Sequence, residues 1–159
     1  REEGGAPREA KPAQDVMNKP HVAAWVRDGT KVVVLQTGKS RLFYEGNPVV
    51  FGGAVSQVLG DPAPADIVAV VDHAGNTMGW GTYNPDSMYR VRMLWLNSFD
   101  GPFTVEAMDI GAVVEQRLRA AQRVRAAMSL PGGGTDAYRL LNGEGDRLSG
   151  LAIDVFAGQ

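Results

Sequence analysis

Basic and aromatic side chains are the residues of this chain whose types and spacing best fit a binding chemistry. Arg90 and Arg92 alternate along a strand-like segment, so they would share one face of it. Phe43 and Tyr44 lie close to a first group of cations in the sequence. That group is Arg27, Lys31, Lys39 and Arg41, and a helical segment adds Arg117, Arg119, Arg123 and Arg125. Cations of this kind contact phosphates and aromatic rings stack on unpaired bases, so the pattern favours RNA binding.

An ordinary solvated surface explains part of this pattern equally well. Glu115 and Arg119 are spaced for an i,i+4 ion pair on an exposed helix face. Arginines make up 12 of the 16 basic residues, which suits forked phosphate contacts but also follows from a GC-rich genome. The net charge of −2 argues against wholesale binding of polyanions, although the distribution of charge matters more than its sum. Both interpretations of the basic residues, an RNA-binding surface and an ordinary solvated surface, stay open.

The residues give little support to a metal site, to cysteine chemistry or to a nucleotide-binding loop. The chain has no cysteine, which excludes disulfides, thiolate zinc sites and thiol nucleophiles within it. His21 and His73 lack the spacing of metal ligands. Glycines at 52–53, 79–81 and 132–134 do not occupy the strand-to-helix turn of a phosphate-binding loop. Glu144, Asp146 and Asp154 could be imagined as paired catalytic carboxylates, but Glu144 and Asp146 flank Gly145 and are better explained as solvated residues of a turn.

Short β-rich runs separated by Gly, Pro, Asn and Asp predict a small barrel or sandwich. The runs are 31–35, 49–51, 54–59, 67–71, 77–83 and 89–96. After Leu96 the apolar period changes from two to about 3.6, which predicts a helix with Asp109 as its N-cap and an end before Pro131. Its apolar face would be Ile110, Val113, Val114, Leu118, Ala121, Val124 and Met128. Two strands at 137–141 and 148–156 would follow.

The elements predict a mainly β fold followed by an α+β unit. We expect a flexible leader over residues 1–30, a β domain over 31–96 and an α+β domain over 97–159. The chain opens at Arg1 and ends just after its last predicted strand, so we expect it to be a piece of a longer protein. The strand at 150–156 should then be the least stable part of the second domain. No apolar run approaches the ~20 residues that a membrane-spanning helix needs.

Several motifs resemble those of the 23S rRNA cytosine-5 methyltransferases that begin with a PUA domain. The most specific are Tyr83-Asn84-Pro85-x-Ser87 with Arg90-Val91-Arg92, and the segment 137–146. The likeness runs from about Lys31 to the end of the chain. Segments 67–96 and 145–151 are most similar to the plant and green-algal branch, which implies a chloroplast or mitochondrion. Asn47-Pro48-Val49 departs from the His-Pro-Trp that is usual in the family.

This resemblance implies a PUA-like pseudo-barrel that binds ribosomal RNA or the ribosome, then a small, incomplete α+β linking domain. The family continues into a domain that binds S-adenosylmethionine and carries a catalytic cysteine, so no catalytic, cofactor or metal site is expected in this segment. The expected RNA-binding residues are Lys31, Lys39, Arg41, Asn47, Gly52, Gly53, Arg90, Arg92, Arg119 and Arg123. The alternative is a non-catalytic PUA-type component of an organellar ribosome or ribonucleoprotein. No membrane or metal partner is expected.

Overall fold

The centre of the molecule is a single curled sheet of six strands. The computed structural model describes residues 14–156, with side chains from Val16 onward. The strands are β1 (Lys31–Leu35), β2 (Val49–Phe51), β3 (Val55–Leu59), β4 (Ile67–Val71), β5 (Thr77–Tyr83) and β6 (Tyr89–Leu96). Their order across the sheet is β2-β6-β5-β4-β1-β3. The predicted positions of all six strands are confirmed, with β3 beginning one residue later than expected.

The sheet curls because its two outermost strands are consecutive in the chain. β2 and β3 are joined only by a 3-10 turn at Gly52–Ala54, so the two edges must lie close together. β1 and β4 form the parallel pair, and the remaining pairs are antiparallel. The concave side holds the main core of Val33, Leu35, Phe43, Val50, Val68, Val70, Met78, Tyr83, Val91, Met93 and Leu96. Phe43 comes from a one-turn helix, α3 (Arg41–Tyr44), that begins after β1.

The opposite side of β1 and β4 is covered by two helices near the start of the chain. They are α1 (Gln14–Met17) and α2 (Pro20–Arg27), with Pro20 suited to the first helical turn. Val16 and Val22 are fully buried in a second core beneath β1 and β4. The prediction of a flexible leader over 1–30 is therefore wrong for residues 14–27, and residues 1–13 lie outside the described part. Because β1 and β4 are apolar on both faces, the second face requires a cover.

The rest of the described chain forms a smaller α+β unit. It consists of α4 (Asn97–Asp100), α5 (Ile110–Ala127), β7 (Ala137–Asn142) and β8 (Ala152–Phe156), where β7 and β8 pair as an antiparallel hairpin. Asp109 caps α5 by accepting a hydrogen bond from Ala112 N at 3.2 Å, as predicted. The mainly β plus α+β fold class is confirmed. No helix in residues 14–156 is long and apolar enough to cross a membrane.

Two details of this second unit differ from the prediction. The buried side of α5 is Val113, Arg117 and Ala121, while Val124 and Met128 of the expected apolar face are exposed. The stripe is narrower than predicted because the hairpin is too small to cover the whole face of an 18-residue helix. β8 begins at Ala152 instead of 148, because a 3-10 turn at Gly143–Asp146 and the residues after it form the link.

The two parts share a core and a buried ion-pair cluster. Trp80 and Leu94 of the sheet pack with Val113, Leu141 and Leu148 of the smaller unit. Arg117 of α5 and Arg147 donate to opposite oxygens of Asp100 at 2.9 and 2.7 Å. The same carboxylate accepts from Leu96 N at 3.0 Å, which fixes it to the end of β6. These contacts hold the smaller unit in a defined position beside the sheet.

Candidate nucleic-acid interface

The geometry of the candidate site begins with an irregularity where β2 pairs with β6. Val49 lies opposite Arg92 and Val50 lies opposite Val91, but Phe51 lies opposite Tyr89. Arg90 is therefore an extra residue in β6, which makes a β-bulge. In a bulge, two consecutive side chains face the same side as the single residue opposite them. The bulge thus brings Tyr89 and Arg90 out beside Phe51, on the face away from the core.

Phe51 and Tyr89 form an exposed aromatic pair at this bulge. Their ring centroids are 5.3 Å apart, with the ring planes at 66° to each other. The guanidinium of Arg92 lies 5.2 Å from the centroid of the Tyr89 ring. Phe51 and Tyr89 keep 43% and 38% of their surface exposed, whereas Val50 and Val91 beneath them are fully buried. The edge of the sheet is therefore rigid underneath and aromatic on the outside.

Arg90 lies over the backbone of Gly52, in the turn that joins β2 and β3. A Cβ on Gly52 would stand 3.0 Å from Nη2 of Arg90, so the absence of a side chain at 52 makes room for the guanidinium. Gly52 N donates to Met88 O at 2.9 Å, which holds the turn against the start of β6. Within residues 16–156, no carboxylate lies within 4 Å of Arg90. Its charge is available to an anion.

Lys39 lies on the loop after β1, and this loop is hydrogen-bonded to the end of the turn at Gly52–Ala54. Gln36 N donates to Ala54 O at 2.8 Å, and Gln36 Nε2 donates to Val55 O at 3.3 Å. Lys39 N in turn donates to Gln36 O at 3.0 Å, so the loop packs against the turn at Gly52–Ala54. The Lys39 side chain is exposed. We call this group the bulge surface; its members are Lys39, Phe51, Gly52, Gly53, Tyr89, Arg90 and Arg92.

Arg92 has a second role at the junction with the smaller unit. Its Nη1 donates to Ser149 Oγ at 2.8 Å, and Ser149 Oγ donates to Glu144 Oε1 at 2.8 Å. Glu144 Oε1 lies 3.6 Å from the same guanidinium nitrogen. The hydrogen bond from Ser149, together with the charge of Arg92, holds the pKa of Glu144 below its ordinary value. Arg92 is therefore partly neutralised by the protein, unlike Arg90.

The other predicted RNA-binding residues lie apart from the bulge surface or are already engaged. Lys31 forms an ion pair with Asp66 at 3.0 Å, and this contact lowers the pKa of Asp66. Asn47 Oδ1 accepts a hydrogen bond from Val49 N at 3.0 Å, so it stabilises its own turn. Arg41 pairs with Glu45 and Arg119 with Glu115 in exposed i,i+4 pairs, which are weak enough to exchange with an anion. Arg123 is exposed on α5, in the smaller unit.

Phe51 and Tyr89 are absent from the residues predicted to bind RNA. Tyr89 precedes Arg90 and Phe51 precedes the Gly52-Gly53 turn, so each was next to a predicted residue. In a regular strand, Tyr89 would face the same side as the buried Val91. The turn signal Asn84-Pro85-Asp86 just before β6 was visible in the sequence, but it does not reveal a bulge at position 90.

The glycine-rich segments do not fit S-adenosylmethionine in the described part of the chain. Gly52-Gly53 joins two strands, Gly79 and Gly81 lie inside β5, and residues 132–134 follow α5. At Gly79 and Gly81 a Cβ would stand 2.0 Å from a carbonyl oxygen of β6, so these glycines serve close strand contact. Across residues 14–156, no group of three or more His, Cys, Asp or Glu is arranged to hold a metal ion.

The sheet region matches the PUA-like domain family over residues 33–95. Residues 33–95 are therefore similar to a PUA-like domain, and every member of the bulge surface lies within them. The chain is also similar to ribosomal RNA large subunit methyltransferase I from Salmonella arizonae, at 38% identity over 124 residues. The proteins of the same description from Klebsiella pneumoniae and Escherichia coli are 36% identical over the same length.

These similarities extend beyond the PUA-like domain but cover a minor part of the relatives. The matched residues are 78% of this chain and 29% of each of these methyltransferases. A solved structure described as a candidate SAM-dependent methyltransferase from Streptococcus mutans has the same fold over 78% of this chain and 30% of its own length. Its TM-score is 0.58 at 18% identity. The likeness supports the fold of both the sheet and the smaller unit.

Proposed function

We propose that this chain docks RNA through the bulge surface of its PUA-like domain. The observation that carries the proposal is the position of Arg90. It has no carboxylate partner among residues 16–156, and it lies next to two exposed aromatic rings and the backbone of Gly52. Cations position a phosphate backbone, and glycine turns allow it to approach closely. Lys39 on the adjacent loop adds a second cation, and Arg92 adds a third that exchanges between Glu144 and an anion.

We further propose that the RNA is ribosomal and that the chain is the RNA-binding part of an rRNA methyltransferase. The support is its similarity to large-subunit rRNA methyltransferases, which continues past the PUA-like domain into the smaller unit. S-adenosylmethionine would then be bound by parts of the parent protein that correspond to the unmatched length of those relatives. The alternative is a non-catalytic organellar RNA-binding protein. It is less favoured, because such a protein needs only the PUA-like segment, whereas the similarity to the methyltransferases continues beyond it.

Charge reversal at two separate places tests the RNA interface. Lys39→Glu with Arg90→Glu should weaken binding to a 23S rRNA fragment and reduce the salt dependence by about two counterions, one for each cation lost. Arg119→Glu with Arg123→Glu is the matched control, because it removes the same charge from exposed positions of α5. Filter binding at several salt concentrations measures both effects, and circular dichroism checks the fold. Loss of binding in the α5 variant alone would move the interface to the smaller unit.

The organellar origin is a separate proposal that rests on the plant-like and algal-like segments 67–96 and 145–151. Imaging a fluorescent fusion of the native gene product tests it directly. We expect the signal to coincide with chloroplasts or mitochondria. A diffuse cytoplasmic signal would contradict the organellar assignment without affecting the RNA-binding proposal.

A further inference from the structure

We propose that Phe51 and Tyr89 form a stacking site for one unpaired RNA base. This inference rests on the proposed RNA docking and adds the kind of RNA that is recognised. The two rings stand at 66° with centroids 5.3 Å apart, so they make a corner instead of a closed stack. A flat base placed against one ring would contact the edge of the other.

The exposure of the pair is not explained by packing within the described chain. Val50 and Val91 are fully buried in the main core, and neither ring belongs to that core. Met88, which precedes β6 and is adjacent to Tyr89 in the chain, is 68% exposed and adds a third exposed apolar side chain. Exposed apolar groups that cluster, in contrast to scattered ones, mark places where a partner binds.

The charges around the corner select a nucleic acid over a protein partner. Arg92 approaches the Tyr89 ring to 5.2 Å, and Arg90 lies over the glycine turn that follows Phe51. The corner is thus bordered by cations on both sides, whereas the whole chain has a net charge of −2. An RNA base is a flat aromatic ring system with a backbone phosphate on either side. It therefore matches a pair of aromatic side chains that is bordered by cations.

An unpaired base is required because the faces of bases in a continuous duplex are covered by their neighbours. In A-form RNA the accessible groups are phosphates, 2′-hydroxyls and base edges, so aromatic side chains find no free face there. A loop or bulge presents such a face. The site therefore directs the domain to an RNA element with at least one extruded or single-stranded nucleotide.

The test compares two RNAs with the whole chain. One is a stem-loop with 2-aminopurine among its unpaired loop nucleotides, and the other is a fully paired duplex of equal length. Phe51→Leu and Tyr89→Leu keep an apolar side chain but remove the ring. Phe156→Leu is the matched control, because Phe156 is an exposed aromatic residue on β8 of the smaller unit.

We expect wild type to prefer the stem-loop and to quench 2-aminopurine fluorescence on binding. Each ring variant should lose affinity for the stem-loop by on the order of tenfold and bind the duplex as wild type does. The salt dependence should not change, because no phosphate contact is removed. The Phe156→Leu variant should behave as wild type with both RNAs.

The possible failures are distinguishable. If wild type binds the two RNAs equally, or if both ring variants keep full affinity for the stem-loop, the stacking site is wrong while RNA docking stands. If wild type binds neither RNA, the proposed function itself fails. If the ring variants change the sedimentation coefficient of the free protein, the rings contact a second copy of the chain and the proposal is overturned. Should one variant fail to fold, the other variant and the wild-type fluorescence decide.

Discussion

Asp100 forms ion pairs with Arg117 and Arg147, which lie in different parts of the smaller unit. The side chains of Asp100 and Arg117 are 4% and 7% exposed, so neither charge can be solvated if the other is removed. Breaking a buried ion pair from one side costs about 3 kcal/mol or more, because the remaining charge stays buried. We predict that Asp100→Asn lowers the free energy of unfolding by about 3 kcal/mol, measured by urea denaturation.

The matched control for this variant is Glu115→Gln, which breaks the exposed pair with Arg119. That change should alter the free energy of unfolding by no more than about 0.5 kcal/mol. Equal losses in the two variants would mean that burial does not determine the strength of these pairs. An unchanged midpoint for Asp100→Asn would show that the cluster does not hold the two parts together.

The lowered pKa of Asp146 leads us to predict how the stability of the protein depends on pH. Both of its oxygens accept from Arg125 at 2.7 Å, and this contact, aided by Asn142 N, holds the pKa of Asp146 below its ordinary value of 3.8. The folded protein therefore binds fewer protons here than the unfolded chain, and the stabilisation is complete above the ordinary pKa. It is lost as the pH falls through the lower pKa of the folded state.

The expected result is a pH-dependent difference between wild type and Asp146→Asn. The variant should be less stable from pH 7 down to about pH 5, and the difference should shrink below about pH 4. Thermal denaturation across this range measures it. Asp86→Asn is the control, since Asp86 is exposed and has no basic nitrogen within 4 Å in the described chain. A difference that stays constant from pH 7 down to the lowest pH at which both proteins fold would contradict the proposed role of Arg125.

Among the elements, the β7–β8 hairpin should open most easily. It forms a sheet of two strands, whereas β4 is hydrogen-bonded to strands on both sides. Side chains of β8 alternate between exposed and partly buried, and a two-stranded hairpin alone is marginally stable in water. We predict faster hydrogen exchange for the amides of Ala152–Phe156 than for those of Ile67–Val71, measured by NMR. Equal protection would require a partner that covers the hairpin.

The strands of this fold were predictable from sequence, and two other features were not. Runs of β-branched and aromatic residues between turn residues are local signals, which is why β1, β4, β5 and β6 were placed at their observed bounds. α1 and α2 are short, and Val16 and Val22 reveal their burial only when the second face of the sheet is known. The aromatic pair depends on which residues of β2 and β6 lie opposite each other, a long-range property that no local pattern encodes.

On the scale of the whole molecule, most of the basic residues between positions 16 and 156 are paired with carboxylates of the protein itself. Eight ion pairs lie among the described residues, and they engage Lys31 and seven arginines. The cations left for phosphates on the bulge surface are few. We therefore predict a shallow salt dependence of RNA binding, with a slope of log K against log salt between about −2 and −4. Filter binding between low and physiological salt measures it, and a slope near −10 would require a much larger basic surface.

The extra residue in β6 determines on which face of the sheet the Tyr89 side chain lies. Tyr89 is two positions from the buried Val91, yet it faces outward because the bulge at Arg90 interrupts the alternation of side chains along the strand. Deleting Arg90 alone would bring the strand back into phase with Tyr89 still opposite Phe51. The shortened chain should keep both rings and lose one cation, so it should retain its preference for unpaired bases while its salt slope falls by about one. The deletion of a single residue thus separates the contribution of base stacking to RNA binding from the contribution of charge.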